Sequence, residues 1–163
     1  MARPTIDQYL MGLAQLAAGR TTCVRRGVGC VLADETGRVL SIGYNGVASG
    51  LPHCNQRLRG FEAAGIVVDD SWPHACKGYD LPPGQDSCEA VHAEQNALLQ
   101  CSDPRRIRTA YVTLSPCKAC LKLLLNTPCE RIVFLEEHVD PVPKELWLSR
   151  LGRRWDKLDG ATV

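Results

Sequence analysis

Helical and strand patterns alternate twice in the second half of the chain, which leaves few possible folds. Apolar residues recur there at helical spacing, then as a short β-rich run, and then in the same order again. The segments are Glu89 to Gln100 (helix), Ala110 to Leu114 (strand), Lys118 to Leu125 (helix) and Arg131 to Leu135 (strand). Strands joined through a helix pair in parallel, so this half predicts a βαβ unit in an α/β protein.

The first half predicts a helix followed by a hairpin. Thr5 and Gln8 form a capping-box pattern, and the apolar spacing after it predicts a helix from about Ile6 to Ala18. The hairpin strands run from Val28 to Leu32 and from Val39 to Tyr44, around the turn Asp34-Glu35-Thr36-Gly37.

A long irregular stretch separates the two halves. Asn45 to Ser87 shows no sustained period, and so long a loop is usually functional or held by something other than a core. Near the end, a helix is predicted at about Lys144 to Leu151, and Trp155 to Leu158 form a last short strand or pack on the outside. A length of 163 residues favours one domain, 1–163.

Composition narrows the function classes. No stretch approaches the roughly 18 apolar residues of a membrane span, and the first residues lack a signal-peptide pattern, so we expect a soluble, cytoplasmic protein. A net charge of +1 gives no electrostatic surplus for nucleic acid, which favours a small-molecule substrate. Nine cysteines, an odd number, indicate metal ligands and buried thiols more than a disulfide set.

Two short motifs carry the chemistry. His92-Ala93-Glu94 lies in the first turns of one predicted helix, and Pro116-Cys117-Lys118-Ala119-Cys120 lies at the start of the next. Cys117 and Cys120 share a helix face, and the helix dipole favours both as thiolates. One His and two Cys leave a fourth position of tetrahedral zinc open, as in catalytic sites.

Glu94 is predicted to work beside the metal without binding it. It follows His92 by two positions, which places it about 200° around the helix. The combination of H-x-E with P-C-x-x-C is the signature of zinc nucleobase deaminases. A structural zinc or a redox-active Cys-x-x-C is the alternative interpretation.

Further segments resemble the deoxycytidylate (dCMP) deaminase family of the zinc-dependent cytidine deaminase superfamily, over about residues 6 to 136. They are Val28-Gly29-Cys30-Val31, Gly43-Tyr44-Asn45-Gly46, Pro52-His53-Cys54, His92-Ala93-Glu94-Gln95-Asn96-Ala97 and Tyr111-Val112-Thr113-Leu114-Ser115-Pro116-Cys117. The resemblance implies a three-layer αβα sandwich with a five-stranded mixed sheet. Cys30 departs from the family, which usually has Ala there, and the segment from Asn55 to Ser87 matches poorly.

The resemblance also implies roles at the active site. His92, Cys117 and Cys120 are then the zinc ligands, and Glu94 is the proton shuttle for hydroxide attack on C4 of the pyrimidine. The expected reaction converts dCMP to dUMP and ammonia. The alternatives are deamination of another cytosine nucleotide or nucleoside, including a modified dCMP, or an inactive competence-type accessory protein.

Substrate contacts follow from the same resemblance. Asn45 is expected to bind the sugar hydroxyl and the N–H of Ala93 the pyrimidine carbonyl, and Ser115 is a further candidate. Phe134 either edges the pyrimidine or is a core aromatic. Arg26, with Arg25, either meets the 5′-phosphate or is a solvated basic turn.

The resemblance also implies a second, structural zinc, because Cys23, Cys54, Cys76 and Cys88 lie in segments where some members of the family carry one. His53 or His74 could replace Cys76, and buried thiols are the alternative for the whole set. Cys30, Cys101 and Cys129 are interpreted as buried thiols.

The resemblance also suggests dCTP and dTTP as effectors and a homo-oligomer, with a hexamer favoured.

Overall fold

The computed structural model describes residues 3–23, 25–51, 53–54 and 89–159. Most of the predicted loop, with Cys76, Cys88 and His74, lies outside the described residues. In chain order the elements are α1 (Ile6–Ala18), β1 (Gly29–Ala33), β2 (Val39–Tyr44), β3 (Gly46–Val47), β4 (Ala90–Val91), α2 (Ala93–Gln100), a 3-10 turn (Pro104–Arg106), β5 (Thr109–Leu114), α3 (Lys118–Leu125), β6 (Arg131–Glu136), α4 (Val142–Leu148) and β7 (Arg154–Lys157). None of the helices in these ranges is long and apolar enough to cross a membrane.

The main sheet has five strands in the order β2-β1-β5-β6-β7. β1 pairs antiparallel with both β2 and β5, whereas β5, β6 and β7 run parallel. The predicted hairpin and βαβ unit are therefore both confirmed, and the sheet is mixed. A separate two-stranded ladder joins β3 to β4, with Gly46 opposite Val91.

Alternation along the central strands gives the sheet two apolar faces. On β1, Val31 and Ala33 pack with α1, while Cys30 and Leu32 face the opposite way. α2, α3 and Trp147 of α4 contribute to the core on that second face. The strands are thus covered by helices on both sides, and the predicted three-layer α/β sandwich is confirmed.

The largest differences between predicted and observed bounds are in two helices. The helix expected from Glu89 begins at Ala93, because Ala90 and Val91 pair with β3 as a short strand. The last helix spans Val142–Leu148 and ends before Leu151. The last predicted segment is a strand, β7, paired in parallel with β6. The prediction of one domain over 1–163 stays a prediction.

An ionic network ties α1 to strands β6 and β7. The Arg131 guanidinium donates to both carboxylate oxygens of Asp7 at 2.8 Å and to Asp156 at 2.6 Å. Tyr111 donates to Asp7 at 2.7 Å. The hydrogen bonds from Arg131 and Tyr111 hold the pKa of Asp7 below its ordinary value. One bidentate arginine therefore joins α1, β6 and β7.

The turn between β1 and β2 is built around the buried carboxylate of Asp34. It accepts hydrogen bonds from the Thr36 hydroxyl and from the backbone N–H groups of Thr36 and Arg38, at 2.7 to 3.0 Å. The Arg106 side chain donates to its other oxygen at 2.8 Å. The Thr36 bond is the main reason that the pKa of Asp34 falls to about 2. Gly37 completes the turn with a φ of 78°, which only glycine adopts easily.

We expect Asp34 to make part of the stability of the protein depend on acid pH. Its folded pKa is lower than its unfolded pKa, so its contribution is present above about pH 4 and is lost as the pH falls toward about 2. Between pH 5 and pH 2.5, the free energy of unfolding should fall less for Asp34→Asn than for the wild type. Urea unfolding across this range measures the difference.

Glu35→Gln, a change at the exposed neighbouring acid, is the matched control and should keep the wild-type slope. Equal slopes for wild type and Asp34→Asn would contradict the assignment.

Candidate metal and catalytic site

Two helices begin with a potential metal ligand. His92 is the residue that immediately precedes α2, and Cys117 immediately precedes α3. Both have extended backbones, so each side chain leaves the chain just before the first helical turn. The Gln95 side chain accepts a hydrogen bond from the His92 N–H at 2.9 Å, which fixes the start of α2.

The structure brings His92, Cys117 and Cys120 together, as the sequence predicts. Nδ1 of His92 lies 3.5 Å from Sγ of Cys117 and 3.3 Å from Sγ of Cys120. All three donor atoms lie within 4.8 Å of one another. Among the described residues this is the one group of three or more His, Cys, Asp and Glu side chains close enough to hold a metal ion.

These distances fit a tetrahedral zinc ion. Bonds of about 2.3 Å to sulfur and about 2.0 to 2.1 Å to nitrogen place the two donor atoms about 3.6 Å apart in a tetrahedron. Both nitrogen–sulfur distances are close to that value. One imidazole and two sulfurs are donors that zinc prefers, and three of them leave one position for another molecule.

The two sulfurs differ in charge. A hydrogen bond from the Cys120 thiol lowers the pKa of Cys117 to about 3, and the contact raises the pKa of Cys120 above its ordinary value. His92 adds to the effect on Cys117 through a further hydrogen bond. Cys117 therefore favours the thiolate and Cys120 the thiol, whereas a dication bound between them would favour both as thiolates.

Glu94 lies beside the ligands and is not one of the three. Its side chain is only 4% exposed, and this burial raises its pKa to about 6. Its carboxyl group also forms a hydrogen bond with the side chain of Cys120. A buried carboxyl group with a pKa near neutrality, next to a metal site, is suited to accept and return a proton.

Asn45 holds the segment before β1 in place. Its side-chain oxygen accepts from the Thr21 hydroxyl and from the Val28 N–H, both at 2.8 Å, and its amide donates to the Arg26 carbonyl at 2.7 Å. Sequence reasoning missed this role. The bonds cross 17 to 24 positions of the chain, and no local pattern reports them.

The structural role of Asn96 is likewise not predicted from the sequence. Its amide donates to the Tyr44 carbonyl at 2.8 Å and so joins α2 to the end of β2. The only available signal was its place in the His-Ala-Glu-Gln-Asn segment.

The other predicted substrate residues have different surroundings. Arg26 forms an ion pair with Glu136, and both side chains are about half exposed or more. The Ser115 hydroxyl accepts from the His138 N–H at 2.7 Å. Phe134 is 1% exposed and lies 5.3 Å from the ring of Trp155, within the core. Ala93, also buried, supplies the first N–H of α2.

The remaining cysteines divide into two groups. Cys30, Cys101 and Cys129 are buried, as the sequence predicts. Cys54 is also buried, whereas Cys23 is partly exposed. Because Cys76 and Cys88 lie outside the described residues, the predicted second ligand set stays a prediction.

Comparison with known proteins agrees with this geometry. Residues 4–136 match the family model of the cytidine and deoxycytidylate deaminase zinc-binding region. The chain is 38% identical to a deoxycytidylate deaminase of Mycobacterium phage D29, over 84% of this chain and 99% of that protein. A deoxycytidylate deaminase of Schizosaccharomyces pombe is 32% identical over 81% of this chain. The chain spans only 37% of that yeast relative.

A solved structure supports the fold. The dCMP deaminase of cyanophage S-TIM5, crystallised with dCMP and dUMP, superposes with a TM-score of 0.67. The match covers 97% of this chain and all of the phage chain, at 24% identity.

Replacing any one of the three clustered side chains should weaken zinc binding at this site. We expect His92→Ala and Cys117→Ser each to lose one zinc equivalent relative to the wild type, because two donors cannot hold the ion as three do. The loss of affinity should exceed the roughly 10- to 100-fold that changes in residues supporting the ligands cost. Competition with a chelator and elemental analysis measure it.

Cys101→Ala is the matched control, since Cys101 is a buried cysteine of the same core outside the cluster. It should keep the wild-type zinc content. If His92→Ala also keeps it, the ligand assignment is wrong.

Proposed function

Because the chain belongs to the cytidine and deoxycytidylate deaminase family, we propose that it hydrolyses dCMP to dUMP and ammonia. The observation that carries the proposal is the three-donor cluster with a buried carboxyl group beside it. A closed structural zinc site has four protein ligands and no use for a further acid. The phage D29 relative, matched over almost its whole length, is named for this activity.

His92, Cys117 and Cys120 would hold the zinc ion, and their donor atoms already lie at suitable separations. When bound, zinc acts as a Lewis acid that makes water nucleophilic at neutral pH. The chain supplies the rest of the chemistry. Glu94 and Cys120 are buried, and charge interactions are stronger in such surroundings than in bulk water.

Glu94 moves the protons. Its carboxylate takes a proton from the attacking water, and the oxygen then bonds to C4 of the cytosine ring. Glu94 gives this proton to N3 of the ring, then takes the proton of the new C4 hydroxyl group and passes it to the amino group. The C4–N bond breaks, ammonia leaves, and C4 becomes the carbonyl carbon of dUMP. Burial keeps the carboxyl group close to the reacting atoms and raises its affinity for the proton.

The substrate is positioned by groups around the start of α2. The N–H of Ala93 is at the helix N-terminus, where backbone donors face outward and suit the pyrimidine carbonyl. Asn45 makes three hydrogen bonds with its side chain among the described residues, two of them through its oxygen. The second N–H of its amide is the group proposed to meet the sugar hydroxyl.

Arg26 is proposed to bind the 5′-phosphate by exchanging its partner. Its ion pair with Glu136 is exposed, and such pairs contribute little to stability, roughly 0 to 1 kcal/mol. A dianionic phosphate is therefore an effective competitor for the guanidinium. Ser115 and Phe134 stay predictions as substrate contacts. Ser115 is engaged with the His138 N–H, and Phe134 lies in the core.

Two alternatives remain to be separated by experiment. Deamination of another cytosine nucleotide or nucleoside would use the same zinc site, and ammonia release across a panel of these substrates distinguishes it from dCMP deamination. An inactive accessory protein would need the fold and the zinc but not the buried Glu94, and the presence of Glu94 disfavours it.

We also propose a second, structural zinc bound by Cys23, Cys54, Cys76 and Cys88. The supporting observation among the described residues is His53, whose Nδ1 is buried without a hydrogen-bond partner next to the buried Cys54. A buried imidazole nitrogen of this kind suits a metal. His53 is therefore the alternative to Cys76 as the fourth ligand.

We also propose that the chain self-associates into a homo-oligomer, with a hexamer favoured. Leu98, Leu99 and Leu123 line an apolar groove of 440 Å³ between α2 and α3, and the Leu99 side chain is 79% exposed. Such a surface favours contact with a second copy of the chain. Regulation by dCTP and dTTP and a cytoplasmic location stay predictions.

The activity is tested directly with dCMP. Purified zinc-loaded protein should release ammonia and form dUMP, and deoxycytidine, dCTP and cytosine should react more slowly. Glu94→Gln should keep zinc and fold but lose at least about 100-fold in kcat, because the proton carrier is lost while the ligands stay. Zinc-loaded wild-type protein that leaves dCMP unchanged would contradict the proposal, as would full activity of Glu94→Gln.

Zinc stoichiometry tests the second metal. We expect two zinc ions per chain in the fully active protein, and one in Cys54→Ser. That variant should unfold at a lower temperature, since structural zinc sites contribute about 10 kcal/mol or more in small zinc domains. If the fully active wild-type chain binds only one zinc ion, the second site is rejected and the buried-thiol interpretation of these cysteines is retained. Cys129→Ser, a change at a core cysteine, is the control.

A further inference from the structure

The backbone of α2 comes close to the sheet at Gly43 on β2. A Cβ atom added at Gly43 would lie 2.3 Å from the carbonyl oxygen of Ala93 and 2.4 Å from the amide nitrogen of Ala97. Both are backbone atoms of α2, so no side-chain rotation can relieve the overlap. Any residue larger than glycine must therefore move the helix or the strand.

The helix segment in contact with Gly43 carries the chemistry. Ala93 lies between His92 and Glu94 in the chain, and Ala93 and Ala97 are both fully buried against the sheet. The Asn96 amide fastens the same helix to Tyr44, the residue after Gly43, at 2.8 Å. The distance between α2 and β2 at this contact therefore determines the positions of His92 and Glu94.

The partners of these two residues are on a different helix. Cys117 and Cys120 belong to α3, which follows β5, so a shift of α2 is not matched by a shift of the sulfurs. The nitrogen–sulfur distances of 3.5 and 3.3 Å leave little room for such a displacement.

We infer that Gly43 is a positioning residue of the active site, which sets the distance of His92 and Glu94 from the sulfurs of α3. This inference rests on the proposed function for its kinetic readout, whereas its metal-binding readout is independent of the substrate. Gly43 touches neither the metal nor the substrate in this account. It acts only through the placement of α2.

The chain offers a matched control on the other face of the sheet. A Cβ at Gly29 on β1 would lie 1.9 Å from the carbonyl oxygen of Ala14 and 2.7 Å from the amide nitrogen of Ala18. Both atoms belong to α1, which contains none of the proposed metal ligands or proton carriers. Gly29→Ala therefore imposes at least as severe a helix–sheet clash, but against the backbone of α1 and not against that of α2.

The experiment compares Gly43→Ala with Gly29→Ala in the full chain. Both should unfold at lower temperature than the wild type. In folded Gly43→Ala, zinc affinity measured by chelator competition should fall at least about tenfold, as for changes that support metal ligands. kcat with dCMP should fall by up to about 100-fold, as for a misplacement of about 1 Å, with a smaller change in KM.

Co²⁺ substitution gives a spectroscopic readout of the same site. The visible absorption of Co²⁺ bound to the wild type should be altered in Gly43→Ala and preserved in Gly29→Ala, which should also keep its zinc affinity and kcat. Unchanged zinc affinity and Co²⁺ spectrum in Gly43→Ala, or equal changes in both variants, would overturn the inference. A wild type without dCMP activity would reject the proposed function but leave these metal readouts valid.

If Gly43→Ala does not fold, Ala97→Ser and Ala14→Ser make the same comparison with a milder change. Each adds one oxygen atom where a helix rests on the sheet, and both alanines are fully buried. Ala97→Ser should weaken zinc binding and shift the Co²⁺ spectrum, and Ala14→Ser should not. The same zinc affinity and Co²⁺ spectrum in both would overturn the inference.

Discussion

The approach of the His92 imidazole to two sulfurs at the start of α3 is the contact on which the chemistry of this protein depends. The three donors come from segments separated by a helix and a strand, so only the folded sheet brings them together. Two helix N-termini meet there, and their backbone dipoles favour negative charge on sulfur. The fold therefore prepares the donors at zinc-like separations, and the same helix places a buried carboxyl group beside them.

α1 and α2 pack on opposite faces of the sheet, and their contacts with it have different effects. α1 is fastened to one face by Arg131, which binds Asp7 and Asp156 together, while α2 rests on the other face where a glycine lets its backbone come close. The first contact is ionic and spans three elements, so it contributes to stability. The second is steric and lies beside His92 and Glu94, the proposed metal ligand and proton carrier, so we infer that it contributes to their geometry.

Much of this could be predicted from sequence because the signals are local. The capping box gave the exact start of α1, and the apolar runs gave both hairpin strands and the βαβ unit within one or two residues. The His-x-Glu and Cys-x-x-Cys spacings identified the cluster that the structure assembles. In each case the residues that determine the feature are neighbours in the chain.

What sequence could not predict depends on distant partners. The sequence pattern places Ala90 and Val91 in a helix, but they pair with β3 as a short strand. His92 therefore lies immediately before the first residue of α2. The bonds of Asn45 to the segment before β1 and the close contact at Gly43 depend equally on pairings far along the chain. Substrate contacts and a second metal site involve the same kind of long-range placement, and they remain proposals.

Anomalous diffraction at the zinc absorption edge, from crystals of the zinc-loaded protein, tests the active-site assignment most directly. We expect a peak about 2.0 to 2.3 Å from the His92 nitrogen and from the sulfurs of Cys117 and Cys120. The fourth position should be filled by a non-protein group facing Glu94. No peak at these three residues, or a fourth protein ligand closing the site, would contradict it.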